Sequence, residues 1–391
     1  MTLTAIGLFA LVGTPYNLKF LWAPLIDRVP LPVLSELLGR RRAWMLVIQF
    51  TLLAAIVVLG SSQPDTAPMV TAGAALAVAF LSASQDIVID AYRIEILDDD
   101  QQGAGAAMTQ AGYRLGAIMS GAGALYLAHA RIDWSLIYFS MGALVIVGMV
   151  VAWWAPSPEI DPTLRRIPAS ARLRVMVIDP FLEFFTRNTP GVSLTILVFI
   201  LLYKLGDAFL GVMAYPFYAR IGFSYAEIAT ASKLFGVGAT LIGVFVGGVI
   251  VKRYGILKSL LICGILQMMS NLMFAAQAAI GPDFGFLFVT IGVENLSGGM
   301  GGSAFVAYLS LLCNINYTGT QYALFSSLMA FGRTWLSVPS GWVADKTDWV
   351  GFFLISTGVA VPGLLLLIWM MRNIPTHVQT RRIMPVELKP N

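Results

Sequence analysis

Runs of about twenty apolar residues succeed one another along nearly the whole chain, and that is the length at which an α-helix crosses a ~30 Å hydrocarbon core. The runs lie at approximately Thr4 to Ile26, Ala43 to Gly60, Met69 to Ile96, Ala104 to Ala128, Trp134 to Ala155 and Val192 to Tyr215. They continue at Tyr225 to Val251, Ile256 to Ala278, Phe284 to Leu311, Thr320 to Val343 and Trp349 to Met371, about eleven in all. Lipid offers no partner to an unpaired strand edge, so spans of this kind are helices. The expected fold class is an all-α polytopic membrane protein. Only 12% of the 391 residues are charged and 58% are hydrophobic, against roughly 25% charged in a soluble domain, which excludes a water-soluble globular protein.

The 25 basic residues test the span map, because a wrong count would scatter them over both sides. One side collects seventeen: Arg28 and Arg40 to Arg42, Arg93, five arginines between Arg165 and Arg187, Lys252, Arg253 and Lys258, and four in the tail. The other side holds Arg131, Arg220 and Lys346, and the remaining five lie inside spans. The first side is the cytoplasm, so the C-terminus is expected there and Met1 outside. The first run has neither a basic leader nor a small-residue cleavage site, so it does not read as a signal peptide. A net charge of +4 follows from this asymmetry, and no basic stripe marks a nucleic-acid partner. Cys263, Cys313, His129 and His377 have no metal-ligand or disulfide spacing, so no metal or cofactor is expected. The predicted partners are the lipid bilayer and a small-molecule substrate, with the chain acting as a monomer.

The longest polar segment divides the spans. Residues 1–155 form an N-terminal helical bundle of five spans, 156–190 a Pro- and Arg-rich cytoplasmic linker, 191–371 a C-terminal bundle of six, and 372–391 a cytoplasmic tail. Within the linker, Arg172 to Arg187 mixes charges with Phe181, Phe184 and Phe185, the pattern of an amphipathic surface helix. A basic turn, Asp27-Arg28 to Gly39-Arg40-Arg41-Arg42, has a counterpart at Gly248 to Gly255, the weak internal symmetry of a repeated bundle.

Ionisable side chains at membrane depth are costly and usually face a cavity or a partner. Nine are present: Asp86, Asp90, Asp207, Glu294, Lys19, Arg114, Lys204, Lys233 and Arg333. Asp86 and Asp90 share one helix face, and two carboxylates in a low-dielectric setting resist joint ionisation, a property suited to proton coupling. Alternatively Asp90 pairs with Arg93 and only anchors the helix. Lys204 reaches Asp207 within its own helix, so structural pairing competes with substrate contact there. Arg114 and Arg333, one in each half, cannot lose their charge and suit a carboxylate-bearing substrate. Lys19 and Lys233 are candidates for snorkelling. Glu294-Asn295 precedes the glycines 298, 299, 301 and 302, which fit either a broken helix or close helix packing, the reading favoured at Gly112 to Gly116 and Gly243 to Gly247. Tyr16, Tyr113, Phe209, Tyr322 and Trp335 are available to stack on a sugar ring, or to pack.

The basic turn and two-bundle layout resemble the major facilitator superfamily, here with ten residues between Asp27-Arg28 and Gly39-Arg40-Arg41. Longer strings resemble the AmpG-type anhydromuropeptide permeases: Lys19 to Arg28, Ser82 to Val88, Gly103 to Ala107, Tyr203 to Phe209, Glu294-Asn295 with its glycines, Ala304 to Ala307 and Gln321 to Leu324. The resemblance implies the two-bundle fold and proton-driven import of N-acetylglucosaminyl-1,6-anhydro-N-acetylmuramyl peptides across the bacterial inner membrane, serving peptidoglycan recycling and β-lactamase induction. It implies a proton-coupling role for Asp86 and Asp90. Substrate contacts are expected from Gln85, Lys19, Tyr113, Arg114, Lys204, Asp207, Glu294, Asn295, Gln321 and Arg333. A conformational role falls to Asp27, Arg28, Gly39, Arg40 and Arg41. Counted against the family's usual twelve helices, the first is expected to be missing here. The Ser-Gln-Asp string is shared with acetyl-coenzyme A transporters, the alternative anionic-solute reading. A third reading, a prenyltransferase-like enzyme using Asp86-x-x-x-Asp90 with magnesium, lacks a second aspartate motif on the same side.

Overall fold

The computed structural model describes residues 10–158 and 178–375, which are helical almost throughout, with no strand among them. The first half contains α1 (Thr14–Leu18), α2 (Ala23–Arg28), α3 (Leu34–Leu38), α4 (Arg40–Ser61), α5 (Pro68–Ile96), α6 (Gln102–Ile118), α7 (Ala124–His129) and α8 (Trp134–Trp154). A short α9 (Asp179–Arg187) leads into α10 (Pro190–Tyr203), α11 (Leu205–Ile221), α12 (Tyr225–Ala229), α13 (Gly236–Tyr254) and α14 (Ile256–Ile280). The chain ends in α15 (Phe284–Leu312), α16 (Thr318–Trp335), α17 (Pro339–Lys346) and α18 (Trp349–Asn373).

Seven helical segments among the described residues are long and apolar enough to cross a membrane, and α15 with the bent segment Ile315–Lys346 adds an eighth. The apolar runs at 10–28 and 102–129 are helical but interrupted, so the expectation of about eleven uniform spans is not met by eleven uniform helices. The causes are local. Pro24 has no N–H to donate to Phe20, and the chain passes through a 3₁₀ turn at Lys19–Leu21 before α2. A π-turn at Met119–Gly123 separates α6 from α7. At Lys204 (φ −98°, ψ 5°) α10 stops and α11 starts. The chain turns by 99° between α15 and the segment that follows, where Asn314 caps the Ile315–Tyr317 turn with its side chain.

Glycine decides how α13 meets α15. A Cβ on Gly243 would stand 2.1 Å from the Leu296 carbonyl oxygen, one on Gly247 2.7 Å from that of Met300, and one on Gly299 2.4 Å from that of Thr240. The Gly298 cluster therefore packs rather than breaks α15, which is continuous from Phe284 to Leu312. Gly112 and Gly116, by contrast, meet nothing within 4 Å among the described residues, so the packing expected for that pair is corrected to open space there.

The two halves touch near one end. Gly103 lies against Gly248 and Val251, and Ala107 against Gly248, joining α6 to α13, while α16 packs on α2 and α5. Beyond Gln110, whose amide lies beside Gly302, residues 112–121 of α6 and its π-turn are exposed. A buried cluster holds Phe199, Tyr203, Phe305, Tyr308 and Phe325, and α9 docks into it through Phe184, which is fully buried and edge-on to Phe325. In the described part of the expected amphipathic helix Pro180 and Phe184 face protein while Leu182 and Phe185 stay exposed; residues 172–177 lie outside the described residues.

Candidate functional site

At the sealed end, Asp27 is the centre of a charge network. Arg41 Nη2 donates to Asp27 Oδ1 at 2.5 Å, Arg41 Nε donates to both oxygens of Glu95 at 3.1 and 3.0 Å, and Arg40 donates to the Asp27 carbonyl. Across the interface the Thr320 backbone N–H and hydroxyl both donate to Asp27 Oδ2 at 2.9 Å. Burial alone raises the Asp27 carboxyl, but the charges of Arg41 and Arg40 and these donors outweigh it and hold it at about 2. Arg28 lies over the Tyr317 ring at 4.3 Å. Gly39 starts α4 from a positive φ of 82°, a conformation that glycine reaches without a Cβ penalty. All five residues of the expected conformational motif sit together; Glu95 and Thr320, which complete the network, carry no motif of their own.

The first interrupted segment carries a second cluster. Lys19 is 6% exposed and its Nζ stands 3.6 Å from Asp86 Oδ2, so it does not snorkel. The Asp86 side chain is 46% exposed and opens toward free space. Around this pair Tyr16 donates to Ser82 Oγ at 2.7 Å and Trp22 to Ser84 Oγ at 3.0 Å. Asp90 pairs with Arg93 at 3.4 Å, and Arg93 lies over the Tyr322 ring. Gln85 is buried, and neither its amide nitrogen nor its oxygen has a hydrogen-bond partner among the described residues.

A third cluster lies in the other half. At the α10–α11 break the largely buried Lys204 donates from its Nζ to Asp207 Oδ2 and to Gln267 Oε1, each at 3.0 Å. Glu294 accepts from Asn295 Nδ2 at 2.6 Å, and Asn295 Oδ1 accepts from Thr240 at 2.9 Å. Glu294 lies within electrostatic reach of Asp207, Arg114 and Lys204. Gln267 is absent from the sequence-derived set, since a glutamine in an apolar helix carries no spacing signal; Ser82 and Ser84 are absent from it for the same reason.

Not every expected contact residue joins these clusters. Gln321 is 1% exposed and ties α9 to α16: its Nε2 donates to Pro180 O at 3.0 Å and Glu183 Oε2 at 2.6 Å, and its Oε1 accepts from Asn314 N at 2.8 Å. In that placement the Gln321 amide is committed to α9 and to Asn314, away from the three clusters. Arg333 and Tyr113 are exposed. Phe209 is buried and stacked on Phe352, and Tyr322 is also buried, so these rings pack rather than offer a sugar platform. Lys233 lies over the Tyr215 ring. No group of three or more metal-ligating side chains occurs among the described residues.

The Major Facilitator Superfamily model matches residues 1–333. The anhydromuropeptide permease of Escherichia coli K12 is 41% identical over 94% of this chain and 72% of its own length. A putative transporter AmpG 4 of Rickettsia conorii is 33% identical over 94% of this chain and 88% of its own. Among solved structures, the proton:xylose symporter XylE bound to 6-bromo-6-deoxy-D-glucose aligns with a TM-score of 0.66 at 12% identity, covering 94% of this chain and 85% of that one. The Escherichia coli fucose:proton symporter FucP aligns at 0.67 and 12%, covering 94% and 91%. Two helical halves sealed at one end around an Asp27–Arg41 network, and a relative this similar over nearly the whole of this chain, place it in the Major Facilitator Superfamily and, within it, among the anhydromuropeptide permeases.

Proposed function

We propose that the protein is a proton-coupled secondary transporter that imports N-acetylglucosaminyl-1,6-anhydro-N-acetylmuramyl peptides across the bacterial inner membrane, as a monomer in the bilayer with its C-terminus in the cytoplasm. The observation that carries the reading is the pair of ion pairs at helix breaks, Lys19–Asp86 in one half and Lys204–Asp207 in the other. Buried lysines are stable next to carboxylates, and a carboxylate that is also half exposed to open space, as Asp86 is, exchanges its partner for a proton without unfolding the bundle. With the basic side as cytoplasm, the seal around Asp27 closes the cytoplasmic end and the conformation is open to the outside. Lys204, Arg114 and Arg333 supply cations for stem-peptide carboxylates, and Tyr16 and Tyr113 line the route for the disaccharide. No cofactor is needed, because the proton gradient supplies the driving force.

The test is uptake of labelled anhydromuropeptide into proteoliposomes under an imposed pH gradient. Wild type accumulates the label, whereas Asp86→Asn equilibrates it without accumulation. Asp86→Asn transport that follows the gradient at the wild-type rate would sink the proton role, and preferential uptake of acetyl-coenzyme A would replace the substrate.

A further inference from the structure

Of the four acids embedded in the spans, three have a cation close by: Asp86 has Lys19 at 3.6 Å, Asp90 has Arg93 at 3.4 Å and Asp207 has Lys204 at 3.0 Å. Glu294 has no ion pair among the described residues, and its described hydrogen bond comes from the neutral Asn295 amide. Lys204 donates to Asp207 and Gln267 and makes no ion pair with Glu294 among the described residues. The other charged or titratable groups around Glu294 are Asp207, Tyr218 and Arg114. Arg114 is exposed and makes no ion pair or hydrogen bond among the described residues. An acid and a base thus stand on two helices of opposite halves that pack on each other, α15 and α6, neither with an ion pair among the described residues.

Their heights agree with this. Gln110 and Gly302 mark the contact between α6 and α15, and at a 1.5 Å rise per residue Arg114 lies about 6 Å and Glu294 about 12 Å from it along their helices. Both run into the open side, because α6 leaves the seal and α15 approaches it. The geometry points to Glu294 and Arg114 as a subsite for a zwitterionic group, an ammonium and a carboxylate carried together as in a free amino-acid end. The ammonium is held by Glu294 and the carboxylate by the guanidinium fork of Arg114, whose planar donors match a carboxylate bidentately. Because the two residues belong to different halves, the bound group links them and favours the arrangement in which the outer ends approach, through its better contacts in that state. This assignment rests on the transport reading and adds the chemistry of the group selected.

The experiment measures binding to the full chain in detergent, using an anhydromuropeptide whose stem ends in a diamino acid, with the terminal amine free or acetylated. Wild type binds the free amine at least about tenfold more tightly, equivalent to about 1.4 kcal/mol. Glu294→Gln loses that preference, so that the free and acetylated forms bind it alike, and Glu294→Asp keeps part of it. Arg114→Gln loses the corresponding preference for a free over an amidated carboxylate. Equal loss for both ligand forms, or a wild type indifferent to acetylation, overturns the subsite. If wild type binds neither form, the muropeptide reading fails by itself; the subsite is then decided by whether millimolar alanine stabilises wild type more than N-acetylalanine amide does, and whether Glu294→Gln removes the difference. Absence of that difference overturns it.

Discussion

Asp27 is buried, yet its carboxylate is held on both oxygens, by Arg41 on one and by Thr320 on the other. Its carboxyl is held at about 2 in the folded chain against 3.8 for an ordinary aspartate. A depressed folded value stabilises above the unfolded value and loses that contribution as pH falls through the folded one. Stability is therefore expected to be complete above about pH 4 and to fall toward pH 2 by about 2 kcal/mol from this group, since each tenfold change in proton affinity is worth about 1.36 kcal/mol. Asp27→Asn should be less stable at neutral pH and should lack this component of the acid transition, as followed by thermal unfolding in detergent at neutral and acid pH. The motif around Asp27 is legible in the sequence because arginines at fixed spacing announce themselves. Its partner Thr320 is not, because a threonine in an apolar helix resembles many others until the halves are docked.

At the scale of elements, the contact of α13 with α15 is set by hydrogen in place of a methyl group. Gly243→Ala puts a Cβ 2.1 Å from a backbone oxygen, and backbone does not yield as a side-chain tip does. The variant should lose about 1–3 kcal/mol, the usual cost of overpacking. Gly112→Ala, with nothing within 4 Å, should be neutral or gain about 0.5–1 kcal/mol from the helix preference of alanine. Thermal unfolding of the two variants side by side checks the contrast; equal effects would mean that the helices are not seated this way. The same spacing of glycines occurs in both places, so periodicity alone marks both as packing motifs. Only the neighbouring helix tells them apart. The breaks behave similarly: Pro24 announces the first, whereas nothing at Lys204 distinguishes it from the apolar run around it.

For the whole molecule, the two halves are sealed where Gly103 meets Gly248 and open where Gly116 faces free space. Single cysteines report this directly, because native Cys263 and Cys313 are buried and give little background. Gly116→Cys should react rapidly with a membrane-impermeant maleimide applied from outside, while Gly248→Cys stays protected. Rapid labelling of Gly248→Cys with protection at 116 would mean that the resting state is closed at the opposite end. The linker helix belongs to one half: α9 is tied to Gln321 of α16 and to Asn314 before it through Glu183, so it is expected to move with the C-terminal half.

Sequence alone is enough to establish a bundle of membrane helices, because apolar runs of that length admit no other paired backbone in lipid. Arginine spacing marks the motif at the sealed end, and the embedded charges mark the polar interior. The folded arrangement settles which charges neutralise each other: Lys19 belongs to Asp86 and Lys204 to Asp207, while Glu294 and Arg114 remain without an ion pair among the described residues. Three-dimensional assignments such as Lys19 to Asp86 depend on distances between residues far apart in the chain, and a charge inside a span carries no local mark of the partner that the fold will place beside it.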